Sequence, residues 1–216
     1  MSKPEMILFD YGHTLAAEPG YDSLRGTAAV MRYTIQNPQN LSPEQVDKFS
    51  AELFYGVCGR VRELGAELHN LHFQRLMYEY LQIEFDVPLT EIEQIYWDNA
   101  APGAAMPYVN ELLTYLDKRE IRTGVISNIG FSGEALTTRL NRLLPNNRLE
   151  FVIASSEYMI RKPNLMLFEL ALRKAGLYED LTMENPFREK NSKLPACEHL
   201  HIYDWREMIK ILEDLA

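Results

Sequence analysis

Cysteine is nearly absent from this 216-residue chain, whose two examples are Cys58 and Cys197. Their wide separation argues against a disulfide framework and for a reducing compartment, expected to be the cytoplasm. No apolar run is long enough to cross a bilayer as a helix. The first residues, MSKPEMILFD, lack an apolar signal core followed by a small-residue cleavage site. No run of lysine and arginine offsets the net charge of −9. Such a surface repels phosphate backbones, so neither a nucleic acid nor a membrane is an expected partner. Internal repeats and low-complexity segments are also missing. What remains is 46% hydrophobic and 25% charged residues, an ordinary globular composition on a chain able to bury a full core.

Residues 6–9, Met-Ile-Leu-Phe, form a short continuous apolar run ending at Asp10, the pattern of a strand buried on both faces. From about 21 to 98 the period becomes helical. Ser42 and Pro43 read as the cap and first position of one helix, and Thr90, with Glu93 at its third position, as the cap of another. Between them, Leu68–Ile83 predicts a helix whose apolar face carries Leu68, Leu71, Leu76, Tyr80 and Ile83. Residues 99–107 read as a linker out of this block. Beyond it, helices are predicted at 108–118, 132–144 and 163–175, the last capped by Gly176, and strands at 122–126 and 151–154. The fold class is therefore α/β: a Rossmann-like parallel sheet core, residues 1–15 and 106–216, with an inserted all-helical cap domain, residues 16–105. Ligands of such sheets bind at the carboxyl ends of the strands.

Three polar clusters sit at those ends. They are Asp10-Tyr11-Gly12-His13-Thr14-Leu15, then Ser127-Asn128, then Arg161-Lys162-Pro163 opening a helix. Each is a weak signal alone. In this order, with a helical insertion between the first and second, they resemble the haloacid dehalogenase (HAD)-like hydrolase superfamily of the capped phosphatase type, over nearly the whole chain. The resemblance implies that Asp10 is a nucleophile forming an aspartyl-phosphate. It implies that Ser127 and the backbone N–H of Asn128 bind the phosphate oxygens and that Lys162 stabilises their growing charge. Thr14 supports the first turn. Mg²⁺ is the implied cofactor, on the Asp10 carboxylate, the Gly12 backbone carbonyl and an acid after the fourth strand. A small phosphate ester is the implied substrate, for a monomer or homodimer.

Two departures stand out. Most phosphatases of the family carry an aspartate where this chain has Gly12, and losing such a general acid typically costs roughly 10²–10⁴-fold. The fourth motif is also missing, since Leu177 is followed by a polar stretch to Pro195. Roughly two dozen residues are lacking, the length of a strand-plus-helix unit. A strand at 200–203 placed beside 6–9 would bring Asp204 to Asp10 as the replacement metal ligand. The alternatives are an inactive relative that binds a phosphorylated ligand or a protein, and a metal-independent 2-haloacid dehalogenase. Elsewhere Cys197, His199 and His201 read as scattered polar residues rather than a zinc site. His72 reads as surface, and Phe49, Phe54, Tyr55, Phe73, Tyr78 and Tyr80 as cap core rather than a ligand cage.

Overall fold

A computed structural model describes residues 4–177 and 205–214. In chain order, β1 (Met6–Phe9) and β2 (Ala16–Ala17) precede α1 (Ser23–Val30), β3 (Thr34–Gln36), α2 (Pro43–Leu53) and α3 (Asn70–Leu81). Then come β4 (Glu84–Phe85), α4 (Leu89–Ala100), β5 (Ala104–Ala105), α5 (Val109–Lys118), β6 (Arg122–Ser127) and α6 (Gly133–Leu143). The chain closes with β7 (Leu149–Ala154), α7 (Ser155–Tyr158), α8 (Leu165–Ala175) and α9 (Trp205–Asp214).

The central sheet runs β1-β6-β7 and is parallel throughout, with Met6 opposite Arg122 and Phe9 opposite Val125. Alternation along β6 sends its side chains to two separate cores. Val125 joins Phe9, Leu112, Leu116, Leu136 and Leu140 on the side of α5 and α6. Its neighbour Ile126 joins Ile153, Leu167 and Ala171 under α8. Helix α9 returns to the first core through Leu212. Burial on both faces is why the strand runs read as continuous rather than alternating apolar segments.

The insertion has its own core, built around Val30, Val46, Phe73, Met77 and Ile92. It leaves and re-enters the sheet region through an antiparallel ribbon in which Ala16 faces Ala105 and Ala17 faces Ala104. A second short ribbon, β3 with β4, lies within the otherwise helical insertion.

Helix α2 begins as expected, with Ser42 capping, Pro43 at the first position and Gln45 completing a capping box. Two expectations need correction. Thr90 does not cap α4, which starts at Leu89 after Pro88. The Glu93 oxygens are held instead by the Ser132 backbone N–H at 3.2 Å, the Ser132 hydroxyl and Asn70 Nδ2 at 3.1 Å. For α3 the predicted face holds only at its ends, where Leu68 packs against the insertion's core and Ile83 is buried in it, and fails within the helix. The buried residues are Phe73, Gln74, Met77, Tyr78 and Leu81, whereas Leu76 and Tyr80 are exposed. The proposed 200–203 strand, Asp204 and the Cys197–His201 segment lie outside the described residues.

A fully buried arginine, Arg139 of α6, ties the two passages between sheet and insertion. It donates from Nε to the Tyr11 hydroxyl at 2.7 Å and pairs with Glu18 at 3.1 Å and Asp98 at 2.9 Å. It also donates to the Ala101 carbonyl and lies over the Trp97 ring at 4.3 Å. Gly103 permits this approach: its φ is +72°, and a Cβ there would meet Arg139 Nη2 at 2.7 Å. Glu18 further accepts from the Tyr11 hydroxyl at 2.6 Å and the Trp97 indole at 2.9 Å.

Removing one partner of a buried charge network strands the others. Arg139→Met is therefore expected to lower unfolding free energy by about 3–5 kcal/mol, read by urea denaturation; a loss under about 1 kcal/mol would mean the network is not holding the junction. Burial also raises the Glu93 pKa above the ordinary glutamate range, against the lowering effect of its donors. A raised folded-state value means stability is fullest below the unfolded pKa and is lost as pH rises above about 4.3. The stability of wild type relative to Glu93→Gln should thus fall between pH 4 and pH 7, and a widening advantage would contradict burial as the dominant effect.

Candidate active site

The carboxyl ends of β1 and β6 meet around Asp10. Where β1 stops, the chain turns tightly, with the Tyr11 carbonyl accepting from Thr14, Leu15 and Ala16 N–H at 3.3, 2.9 and 3.1 Å. His13 sits on this turn with φ 56° and is exposed. The Gly12 carbonyl takes part in none of these bonds. The half-buried Thr14 lends its carbonyl to the Trp205 indole at 3.1 Å, while the Trp205 ring packs edge-on against Phe9.

Asp10 Oδ1 accepts from the Tyr11 N–H at 2.7 Å and faces Lys162 Nζ at 3.0 Å. The same ammonium donates to the Ile126 carbonyl at 2.8 Å, so it is held from the β6 side as well. Lys162 arrives after the short helix α7 rather than directly at a strand end. Its backbone is clamped by the Asn128 side chain, which donates from Nδ2 to the Lys162 carbonyl at 3.0 Å and accepts the Lys162 N–H at 2.7 Å. The Asn128 amide is thus committed to positioning the lysine. Ser127, the last residue of β6, is buried. The structure brings Asp10, Ser127, Asn128 and Lys162 together, with Gly12 and Thr14 on the turn beside them.

Sequence reasoning missed the carboxylate that holds the lysine loop. Glu67, buried just before α3 in the insertion, pairs with the Arg161 guanidinium and accepts from the Ser155 hydroxyl at 2.9 Å. Arg62 approaches its other oxygen at 3.6 Å. The Glu67 N–H also donates to the Met159 carbonyl at 3.1 Å. No local pattern marks Glu67. Arg139 did leave a signal, because it lies on the apolar side of α6 with Ala135, Leu136 and Leu140. Tyr11 combines burial with the Glu18 carboxylate, and its phenol is held well above the ordinary range.

His69 caps α3, accepting the Leu71 N–H on Nδ1 at 3.2 Å, and faces Glu157 at 3.5 Å. His72 is exposed, as expected. Among the described residues, no three His, Cys, Asp or Glu side chains gather as a metal site. None of the described helices is long and apolar enough to cross a membrane.

No family model and no curated protein matches the chain. Solved structures do align with it. A HAD phosphatase from Thermococcus onnurineus matches at 15% identity and TM-score 0.49, over 80% of this chain and 72% of that one. A HAD family enzyme from Bacteroides thetaiotaomicron matches at 17% identity and TM-score 0.48, over 82% and 81%. The L-2-haloacid dehalogenase of Xanthobacter autotrophicus matches at 14% identity and TM-score 0.41, over 81% and 66%.

Proposed function

We propose that this chain is a haloacid-dehalogenase-like hydrolase that cleaves small phosphate esters through an aspartyl-phosphate on Asp10. The observation that carries this reading is the 3.0 Å contact between Lys162 Nζ and Asp10 Oδ1, at the carboxyl end of the sheet beside Ser127. A carboxylate attacking phosphorus needs a fixed cation where negative charge accumulates on the transferring oxygens, and Lys162, clamped by Asn128 and Ile126, fills that position. The Ser127 hydroxyl and the Asn128 backbone N–H are the donors proposed for the phosphate.

Magnesium suits the donors present. It takes hard oxygen ligands and keeps several waters. Asp10 Oδ2 and the Gly12 carbonyl are two such oxygens, and Asp204 is the proposed third. Bound there, the ion would neutralise phosphate charge and align the ester with Asp10.

Gly12 leaves the departing oxygen without a proton donor at that position, so esters of acidic alcohols such as phenols should react much faster than alkyl esters. The test is p-nitrophenyl phosphate turnover with magnesium, with EDTA and with Asp10→Asn. Activity should require the metal and fall to background in the variant. No turnover above that background would instead favour a binding protein that keeps the fold without the chemistry. EDTA-resistant halide release from a 2-haloacid would identify a dehalogenase.

Gly12 also offers a gain-of-function test. A Cβ built there meets nothing within 4 Å, and its φ lies outside the left-handed region. Gly12→Asp should raise alkyl phosphate turnover by roughly 10²-fold, with a smaller gain on p-nitrophenyl phosphate. Equal gains on both esters would rule out a missing general acid.

A further inference from the structure

A cavity of about 460 Å³ lies between the helical insertion and the loop Asn128–Phe131. Its volume is that of a small-molecule site. Aromatic rings line it, including Tyr21, Phe54, Tyr55, Phe73, Tyr78 and Tyr96. Several of these were expected to serve only as cap core. Phe73 and Tyr78 do belong to that core and also face the cavity.

One acceptor in this wall stands out. Asp47 of α2 takes hydrogen bonds from the Ser23 and Thr27 hydroxyls, both at 3.2 Å. The other charged groups of the wall are already committed, Arg62 to Glu67 at 3.6 Å and Glu18 to Arg139 at 3.1 Å. Asp47 has only neutral hydroxyls as its partners. Burial first, with the Asp47 carboxylate adding to it, pushes the Tyr21, Tyr78 and Tyr96 phenols upward. These rings stay neutral, and their faces can receive a cation.

An anionic ligand would meet the Asp47 charge, and a purely apolar one would leave that charge without a cation. A protonated amine suits it, because it is a cation that only donates. We propose that this cavity binds the alcohol part of the substrate as a cationic amine on an apolar frame, its N–H groups directed to Asp47 and its charge against the tyrosine faces. This rests on the phosphatase reading for the ester end only, which the cavity reaches through Asn128, the residue that positions Lys162.

The test separates binding from turnover. Calorimetry on the full chain would compare tyramine with 4-ethylphenol, which has the same ring and no amine, and with 3-(4-hydroxyphenyl)propionate, which carries a carboxylate. Tyramine should bind roughly tenfold or more tighter than 4-ethylphenol, with the carboxylate weakest. In Asp47→Asn the preference should shrink to about twofold or less, a loss of the charge-assisted contact. Equal binding of tyramine and 4-ethylphenol by the wild-type chain, or no binding of either, overturns the proposal without needing any variant to fold. So does a preference that survives Asp47→Asn. Turnover of 4-(2-aminoethyl)phenyl phosphate against 4-ethylphenyl phosphate then completes the test. Amine-selective binding without hydrolysis would remove the phosphatase and keep the amine site, whereas hydrolysis without amine selectivity would do the reverse.

Discussion

A single buried cation sets the junction between the two halves of this molecule. Arg139 cannot stay charged inside the protein unless oxygens surround it, and the oxygens that do so come from Tyr11, Glu18, Asp98 and Ala101. Those residues lie on the turn after β1, on the way into the insertion and on the way out. The demand of one guanidinium for partners therefore brings the start of the site and both hinge passages to one point. Trp97, stacked 4.0 Å from Phe131 and lying under the guanidinium, closes the arrangement with apolar contact.

Two further carboxylates of the insertion follow the same logic. Glu67 binds Arg161 beside Lys162, and Glu93 binds the N-terminus of α6 through Ser132. The insertion is thus docked by directional bonds as well as by packing, and directional bonds fix orientation where apolar surfaces tolerate sliding. This matters for the site, because the cavity is walled on one side by the insertion and on the other by the loop carrying Asn128. Opening the insertion away from the sheet would require these buried charges to separate, at a cost far larger than breaking exposed ion pairs.

The site itself is a relay of positions. Glu67 holds Arg161, Asn128 holds the Lys162 backbone, and Lys162 holds Asp10. Rigid placement of a cation against a carboxylate is what electrostatic stabilisation of a transition state needs, since nothing must reorganise when charge develops.

Much was readable without coordinates, for identifiable reasons. The strands at 6–9, 122–126 and 151–154 could be read from their apolar residues because both faces of the sheet are covered and that pattern is local; in the structure the second reaches Ser127 and the third begins at Leu149. The Ser42 cap and the Gly176 stop are equally local, fixed by the unpaired groups of helix ends and by a left-handed φ of 68°. Asp10, Ser127, Asn128 and Lys162 could be picked out because three clusters, each weak alone, occur in the order that the family resemblance implies. The buried face of α3 and the partners of Glu93 could not, because each depends on which surface the helix meets. Arg139 with Tyr11 and Arg161 with Glu67 span 128 and 94 residues, and no local period encodes such distances. By itself the sequence determined the elements and the candidate chemistry, since backbone hydrogen bonding and apolar period act over a few residues. Only the tertiary structure decided the buried charge pairs and the shape of the cavity, since these exist only after remote segments have excluded water together.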